Sequence, residues 1–168
     1  MRVLPAFSAT LPSPGAVASR PCADLSGWEC LTRAACRAQA DQRLEQALAG
    51  HVRALWAVEA LLDGPVLRSH PDDCLAAWVV SHHSLSDLYR CRGQLNPAVE
   101  HLCAPHHLLL RLAADAPSPV QDAAWRHLRE TRSALLQWQR QHGAPPRIDD
   151  CARLWPPSST THDSGYRH

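Results

Sequence analysis

Apolar residues recur through the middle of the chain at three- and four-residue intervals, a spacing that collects them on one face of an α-helix. The longest such stripe extends from Ala40 to Leu62, and Gly64 followed by proline ends it. No segment has the alternation of apolar and polar residues that is typical of a half-buried strand. The pattern predicts five helices, over residues 25–36, 38–63, 72–92, 97–113 and 118–142.

Residues typical of helix N-termini support the last three of these predicted helices. The acidic Asp72 and Asp73 suit the positive end of a helix dipole, and Asn96 followed by proline suits an N-cap. The last helix opens on Ser118-Pro119-Val120-Gln121, which has the form of a capping box with proline at the first helical position. The expected class is therefore all-α, with about five helices joined mostly by short loops.

Segments rich in proline and serine flank the helical pattern on both sides. Four prolines fall within residues 1–24, and proline pairs recur after residue 143 together with a run of serine and threonine. Such a composition buries too little apolar surface to offset the entropy cost of ordering. We therefore expect a flexible leader over residues 1–24, a helical domain over residues 25–142 and a flexible tail over residues 143–168.

One part of the helical pattern resembles a known repeat. The segment from His82 to Leu112 has large, small and aromatic residues on one helix, a glycine at the turn, and a small and a large residue on the next helix, at Leu85, Ser86, Tyr89, Gly93, Ala98 and Leu102. This spacing resembles the tetratricopeptide repeat, a helix-turn-helix unit of about 34 residues. A second, degenerate match precedes it, at Ala40, Leu44, Ala47 and Leu48.

The resemblance implies a fold and a function. It implies antiparallel helical hairpins stacked as a short repeat-like array, similar to small bacterial repeat-like proteins of unassigned function. Members of the repeat family bind a peptide or a helix of another protein, and the resemblance contributes no catalytic residue. It therefore favours a non-enzymatic adaptor with a protein or peptide partner.

Charge and composition exclude several other function classes. The net charge is +1, which provides no overall basic field for nucleic acid or an anionic membrane. All 17 basic residues are arginine, so chemistry that depends on lysine is absent. The chain also lacks a G-x-G pair, a G-x-S-x-G elbow and an H-E-x-x-H motif. We expect neither enzymatic activity nor a cofactor, and nucleic acid is a disfavoured partner.

The cysteines bear on the compartment. There are seven, an odd number, and no two have C-x-x-C spacing, which fits free thiols in a reducing cytoplasm better than a secreted disulfide scaffold. Ala16-Val17-Ala18 resembles a signal-peptide cleavage site, but prolines interrupt the apolar segment that should precede it. The longest apolar run has about seven residues, against ~18 for a membrane span, so no membrane partner is expected.

A candidate metal site lies on the fourth predicted helix. Glu100, Cys103 and His107 share one helix face, and a thiolate, an imidazole and a carboxylate together suit zinc. The alternative is a half-buried cysteine beside a solvated glutamate and histidine. We favour this alternative because structural zinc sites rarely lack a close pair of cysteines.

A candidate partner-binding strip lies on the third predicted helix. The first helix of each pair lines the concave surface of proteins that this chain resembles. The residues on 72–92 that face away from the hairpin partner form a strip of mixed polarity, at Val79, His83, Ser86 and Arg90. The alternative is that the neighbouring 38–63 helix covers this strip, and the two interpretations are equally favoured.

Arginines mark the polar face of the last predicted helix. Arg126 and Arg129 belong to this face, together with Arg132 and Arg140. Such a face can bind an acidic peptide or a phosphate backbone. It is also what a solvated helix face becomes in a chain without lysine, and we favour that interpretation over an acidic protein partner and over nucleic acid.

Overall fold

Residues 25–154 are described by a computed structural model. This part of the chain contains seven helices and no strand. Their bounds are α1 Leu25–Ala40, α2 Leu44–Leu62, α3 Val66–Ser69, α4 Pro71–Cys91, α5 Leu95–Asp115, α6 Ser118–His142 and α7 Pro146–Arg153. The all-α class is confirmed. None of these helices is both long and apolar enough to span a bilayer.

The sequence pattern placed one helix boundary wrongly. The expected helix over residues 38–63 is divided at residues 41–43, so that Ala40 ends α1 and Leu44 begins α2. The chain turns because Gln42 has a φ of 61°, in the left-handed region that side chains other than glycine seldom adopt. Apolar residues continue in register across this turn, so their periodicity alone did not mark it.

The helices are arranged in two layers. α2 lies between α1 and α4, and α5 lies between α4 and α6. α4 also contacts both α1 and α6 directly, whereas the backbones of α2 and α5 do not approach one another closely. One layer therefore consists of α1, α4 and α6, and the other of α2, α5 and the short α7, which packs on both α5 and α6.

Buried side chains form a nearly continuous core between these layers. Leu61 and Leu85 lie in the cluster between α2 and α4. Leu109 and Leu128 lie in the cluster that α4, α5 and α6 share, and both are fully buried. The apolar stripes of the sequence thus point inward, and burial of these faces is the main favourable contribution to folding.

The expected flexible tail contains a helix that packs on the core. Ile148, Cys151 and Ala152 are all buried on α7, at the i, i+3, i+4 spacing of one helix face. The backbone oxygen of Leu154 lies 3.1 Å from Nε2 of His106 on α5. Extending the tail back to residue 143 was therefore wrong for residues 146–153, because three apolar side chains are enough to dock a short helix. The remaining residues assigned to the leader and the tail, 1–24 and 155–168, lie outside the described part.

The start of α6 also differs from the expected capping box. The side chain of Ser118 makes no capping hydrogen bond, and the N-cap position is Pro117. Gln121 instead donates from Nε2 to the backbone oxygen of Ala113, at 2.8 Å. This bond satisfies a carbonyl near the end of α5 and connects the two helices across their loop.

A close approach between α1 and α2 explains the glycine within α2. A Cβ atom built on Gly50 would lie 2.8 Å from Cβ of Ala35 and 3.2 Å from its Cα. Real Cβ atoms do not approach another carbon this closely, so the two helix backbones can be this near only because position 50 lacks a side chain.

Substituting Gly50→Ala is expected to destabilise the protein by about 1–3 kcal/mol, even though alanine is the better helix former by ~1 kcal/mol. Urea unfolding monitored by circular dichroism measures this change. The control is the double substitution Gly50→Ala with Ala35→Gly, which moves the methyl group to the other helix and should recover part of the loss. A more stable Gly50→Ala variant would mean that α1 and α2 are not in this contact.

Candidate partner-binding groove

An open groove runs between α4 and α6 on the layer that these helices share with α1. It encloses about 450 Å³. The residues that line it from α4 are His83, Ser86, Asp87 and Arg90, and those from α5 and α6 are Leu102, Ala134, Gln137, Trp138 and Gln141. Buried Ser86, Leu102 and Trp138 form its floor, and the exposed Asp87, Gln137 and Gln141 stand on its walls. We call this feature the α4–α6 groove.

Of the four residues expected to form the strip on α4, three line this groove and one lies in the core. His83 and Arg90 line the groove, as does Ser86, although only 2% of Ser86 is exposed. The Ser86 hydroxyl donates to the backbone oxygen of Ala98 on α5 at 2.8 Å, so it is committed to the hairpin. Val79 is 1% exposed and belongs to the apolar cluster with α5 and α6.

Val79 is therefore inaccessible to a partner, contrary to the expectation, whereas Ser86 lies in the groove with its hydroxyl bonded to α5. The physical reason is that the strip is partly covered, though not by the helix that the sequence suggested. Val79 packs in a cluster with Ala123, Ala124 and Leu128 of α6, which takes the place expected for the second predicted helix. The groove opens only beyond this contact, where α4 and α6 separate towards Arg90 and Gln141.

Charge in the groove is balanced rather than uniformly basic. Arg90 pairs with Asp87 one turn earlier, at 3.4 Å, and both side chains are more than a third exposed. Burial lowers the pKa of His83, while the carboxylates of Glu130 and Asp87 oppose that shift. At neutral pH the histidine is uncharged, so the groove offers one ion pair, two carboxamides and a neutral imidazole to a ligand.

The α6 wall is the part of the groove that sequence reasoning missed. Trp138, on the buried face of α6, is 7% exposed. Gln137 and Gln141 share the polar face of α6 with Arg126, at intervals of 11 and 15 residues that nearly complete whole turns. That shared face is the signal that could have identified them, once α6 was known to lie beside α4.

Arg126 and Arg129 lie on α6 outside the residues that line the groove. Arg126 donates from Nε to Oδ1 of Asp72 at 3.0 Å, and so connects α6 to the first turn of α4. Asp72 also lies 3.4 Å from Nε2 of His127. Arg129 is exposed. Carboxylates thus interrupt the arginine face. An exposed ion pair such as that of Arg126 and Asp72 stabilises the fold by about 0–1 kcal/mol.

The expected metal ligands do not converge. Glu100 pairs with Arg147 of α7, Cys103 is buried against that same helix, and His107 is exposed. Within residues 25–154 no group of three or more His, Cys, Asp or Glu side chains is arranged to hold a metal ion. The three residues share a helix face, as inferred, but α7 docks along that face. The side chains of Glu100 and Cys103 both contact α7.

A buried aromatic and histidine cluster lies on the other side of α4. Nδ1 of His82 is 3.0 Å from Nδ1 of His101 on α5, and the ring of Trp78 meets that of His82 at a centroid distance of 4.3 Å. The Tyr89 ring stacks on His101 at 5.5 Å. Burial, and secondarily the neighbouring His101 and His83, lower the pKa of His82 to about 3.

Comparison with protein families matches nearly the whole described chain. Residues 26–156 match a family described as "Protein of unknown function (DUF2753)". The chain belongs to this family. The DUF2753 match includes α7 as well as the six helices before it, so the short last helix belongs to the family's unit. No curated protein and no solved structure matches the chain.

Proposed function

We propose that this DUF2753 protein is a non-enzymatic adaptor that binds a peptide or a helix of another protein in the α4–α6 groove. The observation that carries the proposal is the groove itself, an open cavity of about 450 Å³ whose walls are two helices and whose floor includes the apolar side chains of Leu102 and Trp138. A floor of Leu102 and Trp138 beneath polar walls is the arrangement of a peptide-binding surface, in which apolar contact gives affinity and hydrogen bonds give orientation.

The packing order of the helices supports a tetratricopeptide-like interpretation of the same surface. α4 and α6 are each followed by a helix of the other layer, α5 and α7, and lie side by side in the layer with α1. In repeat proteins such a series of first helices forms the concave, ligand-binding side. We therefore interpret the chain as a short repeat-like array with α7 as its closing helix.

The alternative functions are less well supported. Nucleic-acid binding through Arg126 and Arg129 is disfavoured because Asp72, Glu130 and the net charge of +1 weaken the basic field that such binding needs. A zinc-binding function at Glu100, Cys103 and His107 has no assembled ligand set. A cytoplasmic location is part of the proposal, since six cysteines among residues 25–154 are free thiols.

Site-specific photocrosslinking tests the proposal. A photoreactive amino acid is introduced at Gln137 on the groove wall, and at Arg111 on α5 as the control, and each protein is irradiated in cells of its native host. The expected result is one discrete protein adduct at Gln137 that is absent at Arg111. The adduct is identified by mass spectrometry, and its binding is then measured with purified protein. Equal adducts at both positions, or none at Gln137, would refute binding in the groove.

A further inference from the structure

Two thiols meet where α7 docks on α5. Cys103 and Cys151 are each 1% exposed and belong to the same apolar cluster. Sγ of Cys151 lies 4.0 Å from the backbone oxygen of Cys103, and Sγ of Cys103 lies 4.0 Å from the backbone oxygen of Arg147 on α7. The residues are 48 positions apart in the chain, so this contact depends entirely on the docking of α7.

The surroundings make the two thiols chemically unequal. Interaction with the Cys151 side chain, followed by the charge of Arg147, lowers the pKa of Cys103 in spite of its burial. The same interaction, together with burial, raises the pKa of Cys151. Arg147 also pairs with Glu100, which holds the guanidinium beside this cluster. Cys103, with the guanidinium of Arg147 beside it, is therefore the thiol that more readily becomes a thiolate, and Cys151 is the thiol next to it.

The position of α7 allows reagents to reach this pair. α7 has eight residues, is the last helix of the described chain, and follows an exposed loop over residues 143–145. A short helix held by few buried side chains opens locally at a lower cost in free energy than global unfolding, so small molecules can reach thiols beneath it while the rest of the fold stays intact. Cys74 has no such opening, because it is fully buried in the cluster between α2 and α4.

We propose that Cys103 and Cys151 form a peroxide-sensitive dithiol whose oxidation to a disulfide ties α7 to α5. In the first step the Cys103 thiolate attacks one oxygen of hydrogen peroxide, an S–O bond forms, the O–O bond breaks, and hydroxide leaves as water after protonation. In the second step the sulfur of Cys151 attacks the sulfenic acid, and the S–S bond forms as a second water leaves. Two thiols are oxidised by two electrons, and one peroxide is reduced to two waters.

The disulfide would act on a second cavity of the molecule. A space of about 780 Å³ is lined by Leu95, Val99 and Trp138 on one side and by Pro145, Pro146 and Arg147 on the other. The second set belongs to α7 and the loop before it. A disulfide between α7 and α5 would hold that wall of the cavity in place. It would also close a chain loop of 48 residues, which stabilises the folded state relative to the unfolded state.

Peptide mapping of the oxidised full-length protein tests the proposal. The reduced protein is treated with graded hydrogen peroxide, and remaining thiols are blocked before digestion. Trypsin releases Cys103 and Cys151 singly, within residues 93–111 and 148–153. The expected product is a disulfide between these two peptides, with an intact mass lower by two hydrogens and a melting temperature higher by about 5 °C or more. Linkage through other cysteines instead would overturn the proposal.

Variants and labelling assign the roles of the two thiols. A Cys151→Ser protein should accumulate a sulfenic acid at Cys103 that dimedone traps, whereas Cys74→Ser, the buried control, should still form the disulfide. If a cysteine variant does not fold, alkylation of the wild type gives the same information, with Cys103 reacting about tenfold faster than Cys74. Equal alkylation rates, or a disulfide that forms without a change in melting temperature, would contradict the proposal.

Discussion

The folded protein is expected to lose on the order of 4 kcal/mol of stability between pH 7 and pH 3 through His82 alone. Its pKa is lowered to about 3 because the ring is buried against Trp78 and His101. The unfolded chain binds a proton near pH 6.5, whereas the folded chain does not. The contribution of His82 to stability is therefore present above about pH 6.5, and it is lost as the pH falls from there towards 3.

Urea titrations at a series of pH values measure this loss as a falling unfolding midpoint. A His82→Gln variant removes the titrating ring while keeping a polar side chain, and its stability should depend less steeply on pH. Some dependence should remain, because burial also lowers the pKa values of His51, His101 and His106. The control is His70→Gln, at an exposed position. If the wild type and His82→Gln have identical pH profiles, His82 is not buried as described.

Substituting Ile148→Ala is expected to destabilise the protein by about 2–5 kcal/mol. Ile148 is fully buried, in a cluster with Val99, Leu135 and Trp138, and shortening it would leave a cavity between three helices. The result bears on the domain boundary, because an isoleucine in a flexible tail could be changed at almost no cost.

The matched comparison is Leu154→Ala, at a residue that is 48% exposed just after the same helix. Chemical unfolding should show a loss below ~1 kcal/mol for this variant, since surface substitutions rarely cost more. Equal effects of the two substitutions would mean that α7 does not dock through Ile148.

The helices with long apolar stripes could be predicted from the sequence. Leu85, on the first helix of the predicted repeat, and Leu109 and Leu128, on the two predicted helices after it, are fully buried. The reason is that these segments are long enough for a 3.6-residue period to be unambiguous. α7 was missed because eight residues give only three apolar positions, and the neighbouring prolines and acidic residues dominate the composition.

Boundaries that depend on backbone conformation at a single residue were not predictable in the same way. The chain turns at Gln42, which has a positive φ, although no glycine or proline at this point of the sequence indicates the end of a helix. Gly50, in contrast, is a poor helix former at an interior position, although its missing side chain is what lets α1 approach α2. For Gly50 the deciding interaction is with Ala35 of another helix, and local propensity does not contain such a contact.

About half of the groove could be predicted. His83 and Arg90 were chosen from helical angles, and both line the cavity. Gln137 and Gln141 were not chosen, because their role follows from α6 packing beside α4, a tertiary contact between segments about 50 residues apart. The contacts of Glu100 and Cys103 with α7, which the candidate metal site did not include, are also tertiary.

The most direct measurement of the central claim is the affinity of the crosslinked partner for two double variants. His83→Ala with Arg90→Ala changes the α4–α6 groove, and His107→Ala with Arg111→Ala changes the same residue types in the cavity of about 470 Å³ between α2 and α5. Calorimetry should show affinity at least tenfold weaker for the groove variant and unchanged for the control, a difference of about 1.4 kcal/mol or more.

Melting temperatures accompany this measurement, because His83 is half-buried and its loss can lower stability. If it does, Gln137→Ala with Gln141→Ala, at two exposed positions, replaces the groove variant. Wild-type affinity in a folded groove variant, or an equal loss of affinity in the His107→Ala, Arg111→Ala control, would contradict binding in the α4–α6 groove.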